Sequence, residues 1–302
     1  MKLKHILRRL FKAPMFTAIT VLTLAIGANS AIFAVIEGVL LNPLPFTRSE
    51  ELVDLDHAAP GVNLASAGAA PFLYFTYREE SHAFQDVSLW RRDTYTLTGR
   101  AEPEELVALN VTDALLPILG VQPQLGRLFS PQDDKPGSPK TVILNYGLWR
   151  TKFGGDPGIV GRSILLDGKA HEVIGVLPEK FRFLDYKAAI LVPMQLDRGK
   201  TFLGNFSYQA LARLKPGVSI SQASADASRL VPIAIHRFPP FPGYSEKMFE
   251  EARLTPAFRP LKQSVLGDIG KVLWVLMGTV GMVMLIACAN VANLMLVRVQ
   301  GR

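Results

Sequence analysis

Residues 272–297 read VLWVLMGTVGMVMLIACANVANLMLV and contain no charged side chain. A second uncharged run, the 24 residues 13–36, lies near the start of the chain. At a rise of about 1.5 Å per residue, a helix of that length reaches about 36 Å, which exceeds the bilayer core of about 30 Å. The two runs therefore predict two transmembrane helices with one large region between them.

The composition also favours a membrane protein. Hydrophobic residues make up 49% of the 302 residues and charged residues only 20%, whereas soluble domains average about 25% charged residues. The mean hydropathy is +0.21. The single cysteine, Cys288, excludes a disulfide framework, and the amount of apolar surface excludes a mainly disordered chain.

The net charge of +7 is concentrated at the two ends of the chain. Residues 43–270 carry 25 basic and 25 acidic side chains, so this region is neutral. Basic residues beside apolar runs are the topology signal of membrane proteins, so we expect no nucleic-acid partner. Five basic residues precede the first run, and Arg298 and Arg302 follow the second. We therefore expect a multi-pass protein of the cell (inner) membrane, with both termini cytoplasmic and the central region periplasmic or otherwise extracytoplasmic.

These signals predict five successive segments. They are an amphipathic cytoplasmic elbow helix (1–13), transmembrane helix 1 (15–41), an extracytoplasmic domain (43–262), a stalk plus transmembrane helix 2 (263–298) and a cytoplasmic end (299–302). The elbow helix suits either a membrane-flanking anchor or a contact with a cytoplasmic partner, and both interpretations stay open. The first run is longer than the apolar core of a secretion signal, which favours a retained helix over a cleaved signal peptide.

The apolar runs also hold polar residues, among them Asn29, Ser30, Asn290 and Asn293. In lipid, such side chains favour contact between helices, although they can also bond to their own backbone.

The central region predicts an α+β fold, because short strands and helices are mixed without a regular βαβ repeat. The predicted strands are 52–55, 105–111, 141–144, 163–166, 172–176 and 208–214. The predicted helices are 71–84, one capped by Asn145 and running to Phe153, and one opened by Ser219 or Ser221 with Ala223, Ala227, Leu230 and Ala234 on one face. The pair Asp167-Gly168 predicts a hairpin with a slightly extended loop. From Gln263 onward, we expect one continuous helix that runs into the second span.

The sequence predicts no catalytic, cofactor-binding or metal-binding residue, and we expect the chain not to be an enzyme. The histidines His5, His57, His82, His171 and His236 lack metal-ligand spacing, and each is expected to be alone and exposed. The acidic pairs at 79–80, 104–105 and 133–134 are expected to be solvated. There is no phosphate-binding loop, since residues 137–141 read GSPKT.

Several stretches together resemble one family of membrane proteins. They are LFKAPMFTA (10–18), LTLAIGANSAIF (22–33), LLNPLPF (40–46), YGLWR (146–150), FGGDP (153–157), VGR (160–162), VIGVLP (173–178) and IACANVANL (286–294). They resemble MacB/FtsX-type ABC transporter permeases, especially the duplicated orphan permease group, and they follow the family order over nearly the whole chain.

The resemblance implies a MacB-like periplasmic core domain of α+β fold inserted between two transmembrane α-helices. It implies a separate cytoplasmic ABC ATPase that binds ATP, with no cofactor in this chain, and coupling of that ATPase to the outer domain for efflux or mechanotransmission. It also implies a homodimer or a second permease half, and a periplasmic or outer-membrane partner. Family permeases have four spans per unit, and the duplicated group has eight. We therefore expect an N-terminal portion of such a permease, whose two spans do not enclose a substrate path alone.

Other two-span proteins are alternatives. A polysaccharide co-polymerase would show long helical heptads in its outer domain, where this sequence has short strands. A sensor needs a cytoplasmic signalling domain, and a membrane-anchored enzyme needs a catalytic motif.

Overall fold

The structure is a computed structural model that describes residues 43–99, 102–184, 186–267 and 269–300. It also describes Thr23 and residues 26–34 of the first apolar run, and Glu37 just after that run. The described residues form two compact units. One unit is residues 44–265, and the other contains the described residues up to Pro43 and from Leu266 onward. The predicted elbow helix 1–13, most of the predicted helix 15–41 and residues 301–302 lie outside the described residues.

The unit of residues 44–265 mixes short helices with a large sheet. Its strands are β1 Leu52–Asp54, β2 His57–Ala58, β3 Phe84–Thr98, β4 Glu104–Val111, β5 Leu125–Gly126, β6 Thr141–Leu144, β7 Ser163–Leu166, β8 Lys169–Val176, β9 Ile190–Pro193, β10 Gln209–Leu214, β11 Thr255–Pro256 and β12 Arg259–Pro260. The α-helices from Pro43 onward are α1 Pro71–Glu80, α2 Leu115–Leu119, α3 Tyr146–Lys152, α4 Ile220–Arg237, α5 Glu246–Glu251, α6 Leu261–Leu266 and α7 Ile269–Gln300. The predicted α+β fold is confirmed.

The long strand β3 joins two parts of the main sheet, one that contains β1 and β10 and one that contains β4 and the strands after it. The strand order is β12-β1-β10-β3-β4-β9-β6-β8-β5, and β7 pairs with β3 and β8. The first half of β3 pairs with β10, from Phe84 opposite Leu214 to Trp90 opposite Gln209. Its second half pairs with β4, from Trp90 opposite Val111 onward.

Six strands close into a barrel. Starting from β3, the pairing runs through β4, β9, β6, β8 and β7, and Leu97 on β3 returns to Leu166 on β7. One apolar cluster fills the barrel and includes Leu148 and Trp149 of α3. Closure leaves these strands without a free edge in the ring, which protects them from pairing with other chains.

The other half of the sheet, β1, β10 and the start of β3, carries α1 and α4 on one face, and their apolar side chains share a single cluster. Ser219 opens α4 with a reciprocal capping box to Gln222, as one of the two predicted caps. The predicted face of α4 is confirmed, because Ala223, Ala227, Leu230 and Ala234 are fully buried.

Two predicted boundaries are wrong. The helix predicted to end at residue 84 ends at Glu80, because Ser81 donates to the carboxylate of Asp226 and the buried Phe84 starts β3. The hairpin loop is a tight two-residue turn rather than an extended one. Asp167 and Gly168 have φ of 50° and 71°, which matches the right-handed twist of the two strands.

The predicted continuous rod from Gln263 is also wrong. Helix α6 ends at Leu266 and α7 begins at Ile269, with Gly267 at a φ of +48° between them. Glycine adopts this left-handed conformation without strain and commonly terminates a helix.

Helix α7 contains a segment suited to cross a membrane. Residues Val272–Ala289 have a mean hydropathy of 2.3, and large apolar side chains such as Val275 and Leu285 are exposed. In the first apolar run, residues 26–34 are helical, and the Asn29 amide donates to the sulfur of Met284 at 2.9 Å. The two apolar segments therefore contact each other within their unit, as the polar residue predicted.

Candidate functional site

The chain segment that follows the first apolar run is fastened to the sheet by one buried arginine. Arg213 lies on β10 opposite Leu52 of β1, and its side chain is 4% exposed. All five of its N–H groups donate hydrogen bonds. We call Thr47, Arg48, Glu51, Ile118 and Arg213 the upstream anchor.

The partners of Arg213 come from two different parts of the fold. Its guanidinium donates to the backbone carbonyls of Thr47 (2.6 Å), Arg48 (2.9 Å) and Ile118 (2.9 Å from Nε), and to the Glu51 carboxylate (3.0 Å). A buried charge is tolerated only when its donors are satisfied, as they are here. The arginine thereby binds residues 47–51 and helix α2 to the same strand.

A second polar group fastens the segment that precedes α7. The Arg259 guanidinium lies 3.5 Å from the Asp54 carboxylate and 3.3 Å from that of Asp56, and the Ser264 hydroxyl donates to Asp54. We call Asp54, Asp56, Arg259 and Ser264 the downstream anchor. It bridges β1, β12 and α6, because Asp54 is also the β-sheet partner of Arg259.

Burial raises the pKa of the Asp54 carboxyl, and its bonds with Ser264 and Arg259 oppose this effect. The Asp56 carboxylate is held more firmly than that of Asp54, since it accepts hydrogen bonds from the backbone N–H groups of His57 (2.7 Å) and Gly68 (2.9 Å). A cavity of about 360 Å³ borders this anchor, with Trp90 and Leu261 among its apolar walls.

His57 is a structural residue of the core, so the prediction of an exposed histidine is wrong here. It is 1% exposed, and its Nδ1 bonds to the carbonyl of Gly68 at 3.0 Å. A carbonyl only accepts, so Nδ1 carries the proton and Nε2 accepts from the Tyr77 hydroxyl at 2.8 Å. Burial lowers the pKa of His57 to about 4, so the ring is neutral at pH 7.

The other histidines differ from one another. His171 is 2% exposed, which also contradicts the prediction, and its ring packs edge-on against that of Tyr95. His82 is exposed, and so is His236, which lies 3.2 Å from Glu246. His5 lies outside the described residues.

The acidic pairs are not simply solvated. Glu79 and Glu80 form ion pairs with Arg198 and Arg237, and Glu104 pairs with Lys152. These charges lie at the surface, where such pairs contribute little stability.

The neighbouring aspartates Asp133 and Asp134 have opposite environments. Burial alone would raise the pKa of Asp133, but bonds from Arg127 and Ser130 outweigh it and hold the pKa at about 2. Burial raises the pKa of Asp134 to about 6, although it accepts backbone N–H groups from Gln195 (2.7 Å) and Asp113 (3.1 Å). Both carboxylates organise the loop 130–139, so the prediction that this pair is solvated is wrong.

Among the described residues, no group of three His, Cys, Asp or Glu side chains is placed to hold a metal ion. The two anchors were not predicted, because a charged residue in a short strand gives no sequence signal of its own burial. Arg213 lies in the apolar run ALARL, and that context is the one sign available in the sequence.

The comparisons with known proteins identify the family and the fold of this domain. The profile of the MacB-like periplasmic core domain matches residues 15–230, which is more than half of the chain. A domain of a protein described as a permease, from Porphyromonas gingivalis, is 20% identical with a TM-score of 0.51, over 72% of this chain and 92% of that one. The periplasmic region of MacB from Actinobacillus actinomycetemcomitans is 12% identical with a TM-score of 0.52, over 76% of this chain and 98% of that one. None of the curated proteins compared with the chain matches it.

Proposed function

Because this chain belongs to the family of the MacB-like periplasmic core domain, we propose that it couples a separate cytoplasmic ATPase to its own extracytoplasmic domain. The family makes it a membrane permease component of the ABC transporter class. It also favours this interpretation over a polysaccharide co-polymerase or a two-span sensor. This coupling drives either efflux of a substrate or mechanical work on a partner protein.

The observation that carries the proposal is the pair of anchors. The upstream anchor fastens residues 47–51, which follow the first apolar run in sequence, to β10. The downstream anchor fastens α6, which precedes α7 in sequence, to β1. Strands β1 and β10 are direct neighbours in the sheet. The two anchors therefore connect the segments that flank the membrane helices to the same pair of adjacent strands, so motion of either segment acts on one place in the sheet.

The proposal divides the work between subunits. The ATPase partner binds and hydrolyses ATP, and this chain contributes no cofactor and no catalytic residue. Both termini face the cytoplasm, where the elbow helix contacts the ATPase, and the central domain faces the periplasm. A second copy or a second permease half completes the membrane part, and a periplasmic or outer-membrane protein receives the motion.

The test is to purify the tagged chain from its native membrane together with any bound ATPase and to reconstitute the complex in nanodiscs. Backbone hydrogen exchange of residues 52–54 and 259–266 is then compared with ADP and with a non-hydrolysable ATP analogue. We expect the nucleotide state to change exchange in the downstream segment more than in the barrel strands, because the anchor receives the helix motion.

A matched pair of variants isolates the anchor. Ser264→Ala removes the bond to Asp54, whereas Arg253→Gln alters an exposed arginine outside residues 259–266 that has no ion pair within the described chain. The nucleotide-dependent difference should shrink in the first variant and persist in the second. Absence of any ATPase in the purified complex, or identical exchange in both nucleotide states, would contradict the proposal.

A further inference from the structure

Strand β3 has one stretch whose outer edge pairs with no other strand of the described chain. In the first half of β3 this edge pairs with β10, and the last pair joins Trp90 to Gln209. Near the end of β3 the same edge pairs with β7, at Leu97 and Thr98. Residues 91–95 lie between these two partners, just outside the contact that closes the ring, and only their inner edge is paired, with β4.

The backbone groups that point away from β4 follow from the alternation of the ladder. Thr96 points outward, because its N–H donates to the Asp167 carboxylate at 2.8 Å and its carbonyl accepts from the Asp167 N–H at 2.9 Å. In an antiparallel ladder the N–H and C=O of one residue point to the same side, and the sides alternate along the strand, so Arg92 and Thr94 also point outward. The Thr94 N–H donates to the Asp93 carboxylate at 3.0 Å, but the Arg92 N–H and the carbonyls of Arg92 and Thr94 have no partner in the described chain.

A groove borders this edge because the chain before β10 turns away from it. Tyr208 does not continue the pairing with β3 but exchanges two backbone hydrogen bonds with Ala69, at 2.9 and 3.3 Å. The space left between β3 and residues 206–208 is about 620 Å³, with Arg92 and Phe206 among its walls. Unpaired backbone groups beside an open groove are the arrangement at which a sheet accepts an added strand.

The side chains along the edge favour an acidic strand. Arg92 is exposed and has no carboxylate within 4.0 Å among the described residues. Arg91 is also exposed and reaches Asp93 only at 3.5 Å. Opposite charges directly across a strand pair are favourable and like charges are unfavourable, so the best residue opposite Arg92 is an acidic one.

A second copy of this edge is a poor occupant. Two antiparallel copies of residues 91–95 can align their outward groups with Arg92 opposite Arg92, or with Arg92 opposite Thr94. The first register places two arginines opposite each other, and the second places Asp93 opposite Asp93. Both registers oppose like charges, which favours a different chain as the occupant.

We propose that a partner protein adds one extended, acidic segment to the edge of β3 at residues 91–95. Three backbone hydrogen bonds by themselves support only about millimolar binding. The segment therefore belongs to a folded protein that makes further contacts, rather than to a free peptide. Strand addition at this edge needs no bound ATPase, so it would remain if the coupling to an ATPase proved wrong.

The experiment titrates the full chain in nanodiscs of zwitterionic lipid with the synthetic peptide acetyl-TVEVT-amide, whose glutamate can lie opposite Arg92. Saturation-transfer difference NMR of the peptide should give a Kd of about 1 mM. At about 10 mM peptide, hydrogen exchange of the Arg92 N–H should slow about tenfold, because the bound fraction is protected. Replacement of the glutamate by lysine should weaken binding by about tenfold or more, since two cations then face each other.

N-methylated peptides test the strand geometry without altering the protein. The glutamate N–H faces the Arg92 carbonyl in the proposed pair, whereas the N–H groups of the two flanking valines face away. Methylation of the glutamate nitrogen should abolish binding, and methylation of a valine nitrogen should leave it within about twofold. Equal effects of the two methylations would show that charge alone attracts the peptide and would overturn strand addition.

Three variants of the chain complete the test. Arg92→Pro removes the outward N–H, which has no partner in the sheet, so the fold should tolerate it while binding is lost. Arg92→Gln keeps that N–H and should weaken binding by about twofold to fivefold, as expected for an exposed charge pair. Lys180→Gln alters an exposed lysine outside the groove and should leave binding unchanged.

Two further outcomes would contradict the proposal. If no peptide slows the exchange of the Arg92 N–H, the charges along this edge serve only to keep other strands away. If the free peptide binds at micromolar concentration or below, the edge is a site for free peptides, and the assignment to a partner protein is wrong.

Discussion

The two anchors hold neighbouring strands with arginines in very different surroundings. Arg213 of the upstream anchor is 4% exposed and uses every donor, whereas Arg259 of the downstream anchor is 48% exposed and reaches its carboxylates at 3.3 and 3.5 Å. A buried guanidinium cannot leave without exposing unpaired carbonyls, but an exposed ion pair is screened by water. The comparison indicates that residues 47–51 are held rigidly to the domain, whereas helix α6 can move relative to β1.

The largest effect is expected for Arg213→Met. Its loss leaves three backbone carbonyls and Glu51 without their donor, so the free energy of unfolding should fall by about 3–5 kcal/mol. Chemical denaturation of the full chain in detergent, followed by tryptophan fluorescence, measures it. Arg229→Met is the matched control at an exposed ion pair and should change stability by less than about 0.5 kcal/mol. Equal effects of the two variants would remove the distinction between a buried and an exposed arginine.

A smaller effect is expected for Ser264→Ala. The variant loses one hydrogen bond to a carboxylate, so we expect a loss of about 1.5–3 kcal/mol at most, reduced by water that replaces the hydroxyl. The same denaturation assay applies. Thr279→Ala offers a control, because that hydroxyl bonds only to its own helix backbone. A loss as large as that of Arg213→Met would show that both anchors are equally rigid.

A third variant, Arg259→Gln, should cost no more than about 1 kcal/mol, because exposed ion pairs contribute little. Its effect should also diminish in high salt, whereas that of Arg213→Met should not. Measuring both variants at low and high salt checks this contrast. A salt-independent loss at Arg259 would mean that the downstream anchor is shielded from solvent.

The contribution of Asp54 to stability should also depend on pH. Burial raises the pKa of Asp54 in the folded protein, so the native state binds its proton more readily than the unfolded chain. Stability of the wild type relative to Asp54→Asn should therefore increase as the pH falls from neutral toward the raised pKa. A relative loss of stability on acidification would show that the ion pair with Arg259 outweighs burial.

Much of the fold could be predicted because its elements carry local signals. The apolar face of α4, the Asn145 cap of α3 and the strands at 141–144 and 163–166 follow from spacing and caps in the sequence. The long strand β3 was missed, since its second half carries polar side chains such as Arg91 and Asp93 that resemble a loop. Helix α2 was also missed, because five residues are too short for a helical period. Strand β9 was missed as well.

The sequence by itself determined the membrane-spanning character, the α+β class and the family, because hydropathy, charge segregation and motif order are properties of the chain in one dimension. The closure of the barrel, the burial of Arg213 and His57, and the unpaired hydroxyl of Thr141 were decided only by the tertiary structure. These features depend on residues that lie far apart in sequence, such as Arg48 and Arg213. A side chain's local sequence does not reveal whether such a distant partner will remove it from water or satisfy its hydrogen bonds.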